Sequence, residues 1–174
     1  MAAVSLLCEK IHRGGVRKGE LVMNHEELAV QNFMSGYNCA QSVFLAFAPD
    51  FGMDRDAAAR LSSSFGGGMG RLREVCGALS GIFLAAGALY GYDVIGDDTI
   101  KMEHYALIQS LAAKFKEEHG TILCRELIGR SGPEDPRPEP RTQAYYDHRA
   151  CAKYVATAAR LLEEYMAEHP PKAR

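Results

Sequence analysis

Five cysteines could do chemistry in this chain: Cys8, Cys39, Cys76, Cys124 and Cys151. A cysteine acts as nucleophile or metal ligand in its thiolate form, and the first turn of a helix favours that form through free backbone amides and the positive end of the macrodipole. Asn38, with Gln41 three residues later, has the form of a capping box. It predicts Cys39 in the first turn of a helix running to about Pro49. Cys76 opens another apolar segment, with Arg71 and Arg73 just upstream to add positive charge, although Arg71 to Val75 has no clean cap. The plainer reading of any one of these thiols is a small buried hydrophobe. No CxxC pair or zinc-finger spacing is present, so local spacing assigns no metal.

Gly66-Gly67-Gly68-Met69-Gly70 stands between the first two motif cysteines. A phosphate loop would need a lysine and a Ser/Thr after the glycines, and a dinucleotide fingerprint a preceding strand; both are missing. The run predicts a sharp turn that brings backbone close to the cysteines. Its amides make Gly66, Gly67, Gly68 and Gly70 the candidate cofactor-binding residues, or a rest for a small anion. His148 lies one turn before Cys151 if the last helix is continuous, as a buried structural histidine or, alternatively, a thiol base or fifth ligand. Pairs such as Glu117-Glu118 and Glu163-Glu164 lie on polar faces and are solvated surface.

The elements that must position these residues are helical. Apolar residues recur at helical spacing, and no strand alternation or Asn-Gly hairpin interrupts them. Val75 to Tyr90 is apolar or small on every side, the pattern of a buried central helix. Gly77, Gly81, Ala85 and Ala88 would let neighbouring backbones approach it closely. Asn24 with Glu27, Asp54, and Asp97 or Asp98 are predicted caps, and Gly120 is a predicted stop. The helix from Asp97 or Asp98 carries Ile100, Leu107, Ile108, Leu111 and Phe115 on its apolar face. Thr121 to Ile128 forms a shorter helix. A single helix from about Gln143 to Glu168 buries His148, Cys151, Val155, Leu162 and Tyr165. Residues 129–141, with prolines at 133, 136, 138 and 140, form the one clear loop. The expectation is an all-α, single-domain bundle of six to seven helices around the central one. Residues 1–22 form an N-terminal helix or arm and linker, 23–168 the domain, and 169–174 a tail.

A formal charge of −2 gives no basic footprint for nucleic acid. The apolar central run is too short for the ~20 residues of a membrane span. Met1 to Glu9 has no basic n-region, and Glu9 and Lys10 cut its apolar run short, which predicts a cytoplasmic protein. Cys39, Cys76, Cys124 and Cys151 fall on the inward stripes of different helices, so they are predicted to converge, without Cys8. Four converging thiols could exchange with disulfides or hold an iron–sulfur cluster or other metal for electron transfer. The alternative is a non-catalytic domain with structural zinc or merely buried thiols. The apolar central helix and the N-terminal segment predict a homodimer; the redox partner is not legible.

The cysteine and glycine motifs together resemble a family of redox-active proteins named for the pattern C-GCAxxG-C-C. The segments that carry the resemblance are Gly36-Tyr37-Asn38-Cys39-Ala40-Gln41, Phe65 to Gly70, Cys76-Gly77-Ala78-Leu79-Ser80-Gly81, Cys124-Arg125-Glu126-Leu127 with Gly129, and Cys151. It implies a helical domain and a redox role for the four matched cysteines. The cysteine-bearing domain of split-Soret cytochromes is similar, which brings an iron–sulfur or other metal site into consideration. Without a CxxCH motif, covalent c-type haem is not implied.

Overall fold

Helix starts follow the cap residues. In the computed structural model, which describes residues 23–171, Asn24 and Glu27 form the capping box of α1 (His25–Met34). Asn38 and Gln41 form that of α2 (Cys39–Phe47), which ends in a 3-10 turn, Ala48–Phe51. Asp54 caps α3 (Arg55–Ser62), followed by a second 3-10 turn, Ser63–Phe65. The central helix α4 is Gly77–Tyr90, and α5, capped by Asp97 and stopped by Gly120 in left-handed backbone, is Asp98–His119. Three further helices follow: α6 (Cys124–Leu127), α7 (Gln143–His148) and α8 (Cys151–Glu168). The described residues are all-α and contain no sheet. Cys8 and the predicted N-terminal arm lie outside the described residues.

α4 is the centre. None of its residues is exposed, and it packs on α2 and α8, while α1 closes the same core against α2 and α8. Its small residues let it pack so closely. A Cβ on Gly81 would stand 2.8 Å from the Ala40 carbonyl oxygen and 2.9 Å from the Val43 Cβ. One side of α4, with Phe83, Leu84, Gly87 and Ala88, is only half-covered.

Four expectations are corrected. The continuous last helix breaks, because Arg149 is extended (φ −119°, ψ 121°), so Cys151 begins α8 instead of lying within a longer helix. His148, at the end of α7, is consequently exposed. Leu107, Leu111 and Phe115 are the buried residues of α5, whereas Ile100 is 38% exposed, near the helix start and off the core. The predicted helix 121–128 contracts to α6 because residues 122–125 pair with residues 73–76 instead. Val75 and Leu123 form an antiparallel bridge, the Cys76 amide donates to the Ile122 carbonyl (2.8 Å), and the Arg125 amide donates to that of Arg73 (3.1 Å).

The glycine run makes a left-handed turn. Gly67, Gly68, Met69, Gly70 and Arg71 have φ of 65°, 70°, 62°, 61° and 70°, and Arg73 follows at 63°. A residue with a Cβ costs on the order of 1–2 kcal/mol in this backbone, so Met69, Arg71 and Arg73 carry local strain. Carbonyls of the turn accept from the returning chain: Arg71 N–H to Gly66 O, Arg73 N–H to Gly67 O and Glu74 N–H to Gly68 O. The chain thereby doubles back from α3 to α4 within a few residues.

Candidate functional site

Each of the four predicted cysteines lies at a helix start. Cys39, Cys124 and Cys151 are the first residues of α2, α6 and α8, and Cys76 is the N-cap residue of α4. The Asn38 side-chain oxygen accepts from the Ala40 and Gln41 amides (both 3.0 Å), and its amide group donates to Ser63 O (2.9 Å), which pins the start of α2 to the turn after α3. The antiparallel pairing of 73–76 with 122–125 ties the Cys76 amide to the Ile122 carbonyl and the Cys124 amide to the Glu74 carbonyl, which fixes both cysteines on neighbouring segments of chain. All four line one cavity of about 400 Å³. Cys39 is half-buried and the others are buried; all four are free thiols.

The glycines serve this convergence by close approach. A Cβ on Gly68 would stand 2.7 Å from the Cys124 Cβ, and one on Gly77 would stand 3.3 Å from the Cys39 Cβ. Of the candidate cofactor-binding glycines, Gly66 and Gly67 line the cavity. Gly68 presses on Cys124 instead, and Gly70 serves the left-handed turn. His148 does not line the cysteine cavity.

Arginines and a folded-in loop complete the walls. Arg71, Arg73, Arg141 and Arg149 line the cavity with Tyr145 and Tyr154. The proline-rich loop reaches across it through Pro136, Pro138 and Glu139. Glu134 of that loop pairs with Arg71 (3.1 Å), with Arg130 (3.2 Å) and, more closely, with Arg73, while Glu139 pairs with Arg149 and Arg71. Arg73 is 2% exposed and also donates to Cys124 Sγ at 3.8 Å. Arg141 donates to the Tyr37 carbonyl (3.1 Å) and stacks on Phe33 and Tyr145, 4.8 and 4.7 Å from their ring centres. Tyr154 O–H donates to the Leu127 carbonyl (2.9 Å).

The thiols differ sharply in acidity. Cys39 and Cys151 act on each other's acidity through a thiol–thiol interaction. It draws the Cys151 pKa down against its burial, and Arg149, Arg141 and Arg73 help to bring it to about 7. The same interaction raises Cys39 well above the ordinary thiol range, with burial adding to it. Burial pushes Cys76 up to about 12, with the Ala78 and Leu79 amides pulling the other way. Cys124 is raised by burial, with Arg73 opposing.

Sequence reasoning found the four cysteines and the charge of Arg71 and Arg73. It missed Arg141, Arg149, Glu134 and the two tyrosines, since nothing local distinguishes a loop charge that folds inward from one facing water. Residues 37–165 match the family "Putative redox-active protein (C_GCAxxG_C_C)". The chain belongs to this family. No curated protein and no solved structure matches it. Among the described residues, no helix is long and apolar enough to cross a membrane.

The metal reading can be tested on the donors themselves. Among the described residues, no three Cys, His, Asp or Glu side chains are grouped to hold one metal ion. The four thiols share a cavity without forming such a group.

Proposed function

We propose that the protein is a thiol–disulfide oxidoreductase in which Cys151 is the nucleophile and Cys39 its redox partner. The observation that carries this reading is that Cys39 and Cys151 line one cavity and act on each other, so that one thiol is drawn down to about 7 and the other held protonated. A thiolate near ambient pH combines availability with nucleophilicity, and its protonated neighbour is placed to resolve the mixed disulfide. Cys76 and Cys124 form the more deeply protonated pair beside it.

The test is oxidation of the reduced, anaerobically purified protein, followed by peptide mapping. The expected product is one Cys39–Cys151 disulfide, formed with loss of two titratable thiols and absent from Cys151→Ser. Visible absorption with bound iron, or stoichiometric zinc, in the purified protein would overturn the reading in favour of a metal centre.

This chemistry fits a reducing compartment such as the cytoplasm, where reversible dithiols operate. The same reading takes the protein as a homodimer. Val94, Ile95, Met102 and Tyr105, at 54%, 101%, 64% and 50% exposure, support an apolar contact between two copies. Light scattering at micromolar concentration is expected to give twice the chain mass, and the monomer mass for Met102→Glu; a monomeric parent protein overturns this.

A further inference from the structure

The walls of the cysteine cavity carry information about the substrate beyond its redox chemistry. Three of the four arginines are ion-paired: Arg71, Arg73 and Arg149 share the two carboxylates of Glu134 and Glu139. Among the described residues, Arg141 has no carboxylate partner, and its Nη1 is buried without a hydrogen bond. Its guanidinium is held in place by the Phe33 and Tyr145 rings and the Tyr37 carbonyl. Four guanidinium groups thus face two carboxylates, and positive charge remains even with a thiolate at Cys151. A charged cleft with low-dielectric walls concentrates ligands of the opposite sign.

Size points the same way. A cavity of about 400 Å³ with three buried cysteines has the dimensions of a small-molecule site.

From the unpaired Arg141 and the arginine-lined cavity of small-molecule size, we infer that the substrate is a small disulfide bearing carboxylate groups. This rests on the dithiol reading above. The Cys151 thiolate attacks one sulfur of the substrate disulfide; that S–S bond breaks, one substrate thiolate leaves, and a mixed disulfide forms on Cys151. Cys39 gives its proton to the departing thiolate and attacks Cys151 Sγ, expelling the second substrate thiolate. Two electrons pass from the Cys39/Cys151 dithiol to the substrate, and the protein ends as the Cys39–Cys151 disulfide.

The experiment is a single-turnover series with the full, reduced chain and three disulfides of similar size and different charge. These are 3,3′-dithiodipropionate (anionic), bis(2-hydroxyethyl) disulfide (neutral) and cystamine (cationic). The anionic compound is expected to react about tenfold faster than the neutral one, and the cation slower still, with the spread shrinking as salt is added. In Arg141→Leu, checked for fold by circular dichroism, the anion-to-cation ratio is expected to fall about tenfold. That ratio cancels any general change in thiol reactivity. Equal rates for the three compounds in the parent protein overturn the charge inference and leave the dithiol reading standing, a result that needs no variant to fold. If no compound yields a Cys39–Cys151 disulfide, the dithiol reading falls. Calorimetric binding of 3,3′-dithiodipropionate to Cys39→Ser/Cys151→Ser then decides the anion site alone, and no binding there overturns it.

Discussion

Two cysteine pairs share one cavity and behave oppositely. Cys39 and Cys151 perturb each other's acidity, and one of them is drawn down to about 7. Cys76 and Cys124 belong to the two segments of a short antiparallel pairing, and both are raised. All four sit at helix starts, so the helix terminus alone does not make a thiolate. The deciding difference lies around the sulfur. Cys151 has the Cys39 thiol and three guanidinium charges, whereas Cys76 has amides that do not overcome its burial.

The largest expected effect measures that contrast directly. At pH 7 Cys151 is about half thiolate and Cys76 about one part in 10⁵. The greater nucleophilicity of the more basic thiolate returns about 10²·⁵ of this, leaving roughly a 150-fold preference for Cys151. Iodoacetamide labelling followed by peptide mapping is expected to show it, with the Cys151 rate climbing through pH 7 and levelling above. Equal labelling of Cys76 and Cys151 would erase the distinction between the pairs.

Glu134→Gln sharpens the comparison from the other side. It removes the carboxylate that neutralises the buried Arg73. Breaking a fully buried pair costs about 3–5 kcal/mol; with Glu134 21% exposed, about 3 kcal/mol is expected, or roughly 9 °C in Tm. The released Arg73 charge should speed labelling of Cys124, its hydrogen-bond partner, and a labelling rate unchanged at Cys124 would contradict the assigned role.

Gly77→Ala acts where the two pairs meet. Its Cβ would lie 2.9 Å from the Phe65 carbonyl oxygen and 3.3 Å from the Cys39 Cβ, so backbone must shift. Overpacking of this kind costs about 2 kcal/mol, read as a drop of roughly 6 °C in Tm, together with slower formation of the Cys39–Cys151 disulfide. Parent-like melting and oxidation would show the contact to be slack.

The smallest effect lies at the far ends of the helices that carry the reactive pair. His25 bonds Asp50, just past α2, at 2.9 Å and Glu163 of α8 at 3.0 Å, and stacks on Phe47. Burial opposes its charge, but the bonds to Asp50 and Glu163 outweigh it and raise the His25 pKa above 6.5. A raised histidine stabilises the fold fully below its unfolded pKa of 6.5, and that contribution is lost as pH rises through the folded value. His25→Gln should therefore cost up to about 1 kcal/mol at pH 6 and less at pH 9, by denaturant melts. A cost that grows with pH would reverse the assignment.

Much of this arrangement was legible in the sequence where one residue does a local job. Asn38 with Gln41, Asp54, Asp97 and Gly120 mark helix ends because each satisfies or releases backbone groups within one turn. The convergence of Cys39, Cys76, Cys124 and Cys151 followed from inward-facing stripes. The break before Cys151 did not, because Ala150 is an N-cap without a capping side chain. The pairing of residues 73–76 with 122–125 is too short to show alternation. The inward fold of Glu134 and Arg141 depends on partners some 60 to 100 positions away in the chain.

The turn from Gly67 to Arg71 has a stereochemical consequence. Five successive residues wind in the hand that D-amino acids prefer, so the protein contains a short piece of mirror-image helix beside its reactive sulfurs. At Gly70, where space is open apart from the Ser64 carbonyl, the configuration of an added methyl group decides its conformational cost. An L-alanine there would be strained by its backbone alone, whereas the backbone angles are those a D residue prefers. A D residue introduced at Gly70 would thus escape the backbone strain that an L residue meets there, whereas one within the right-handed α4 would meet that strain itself.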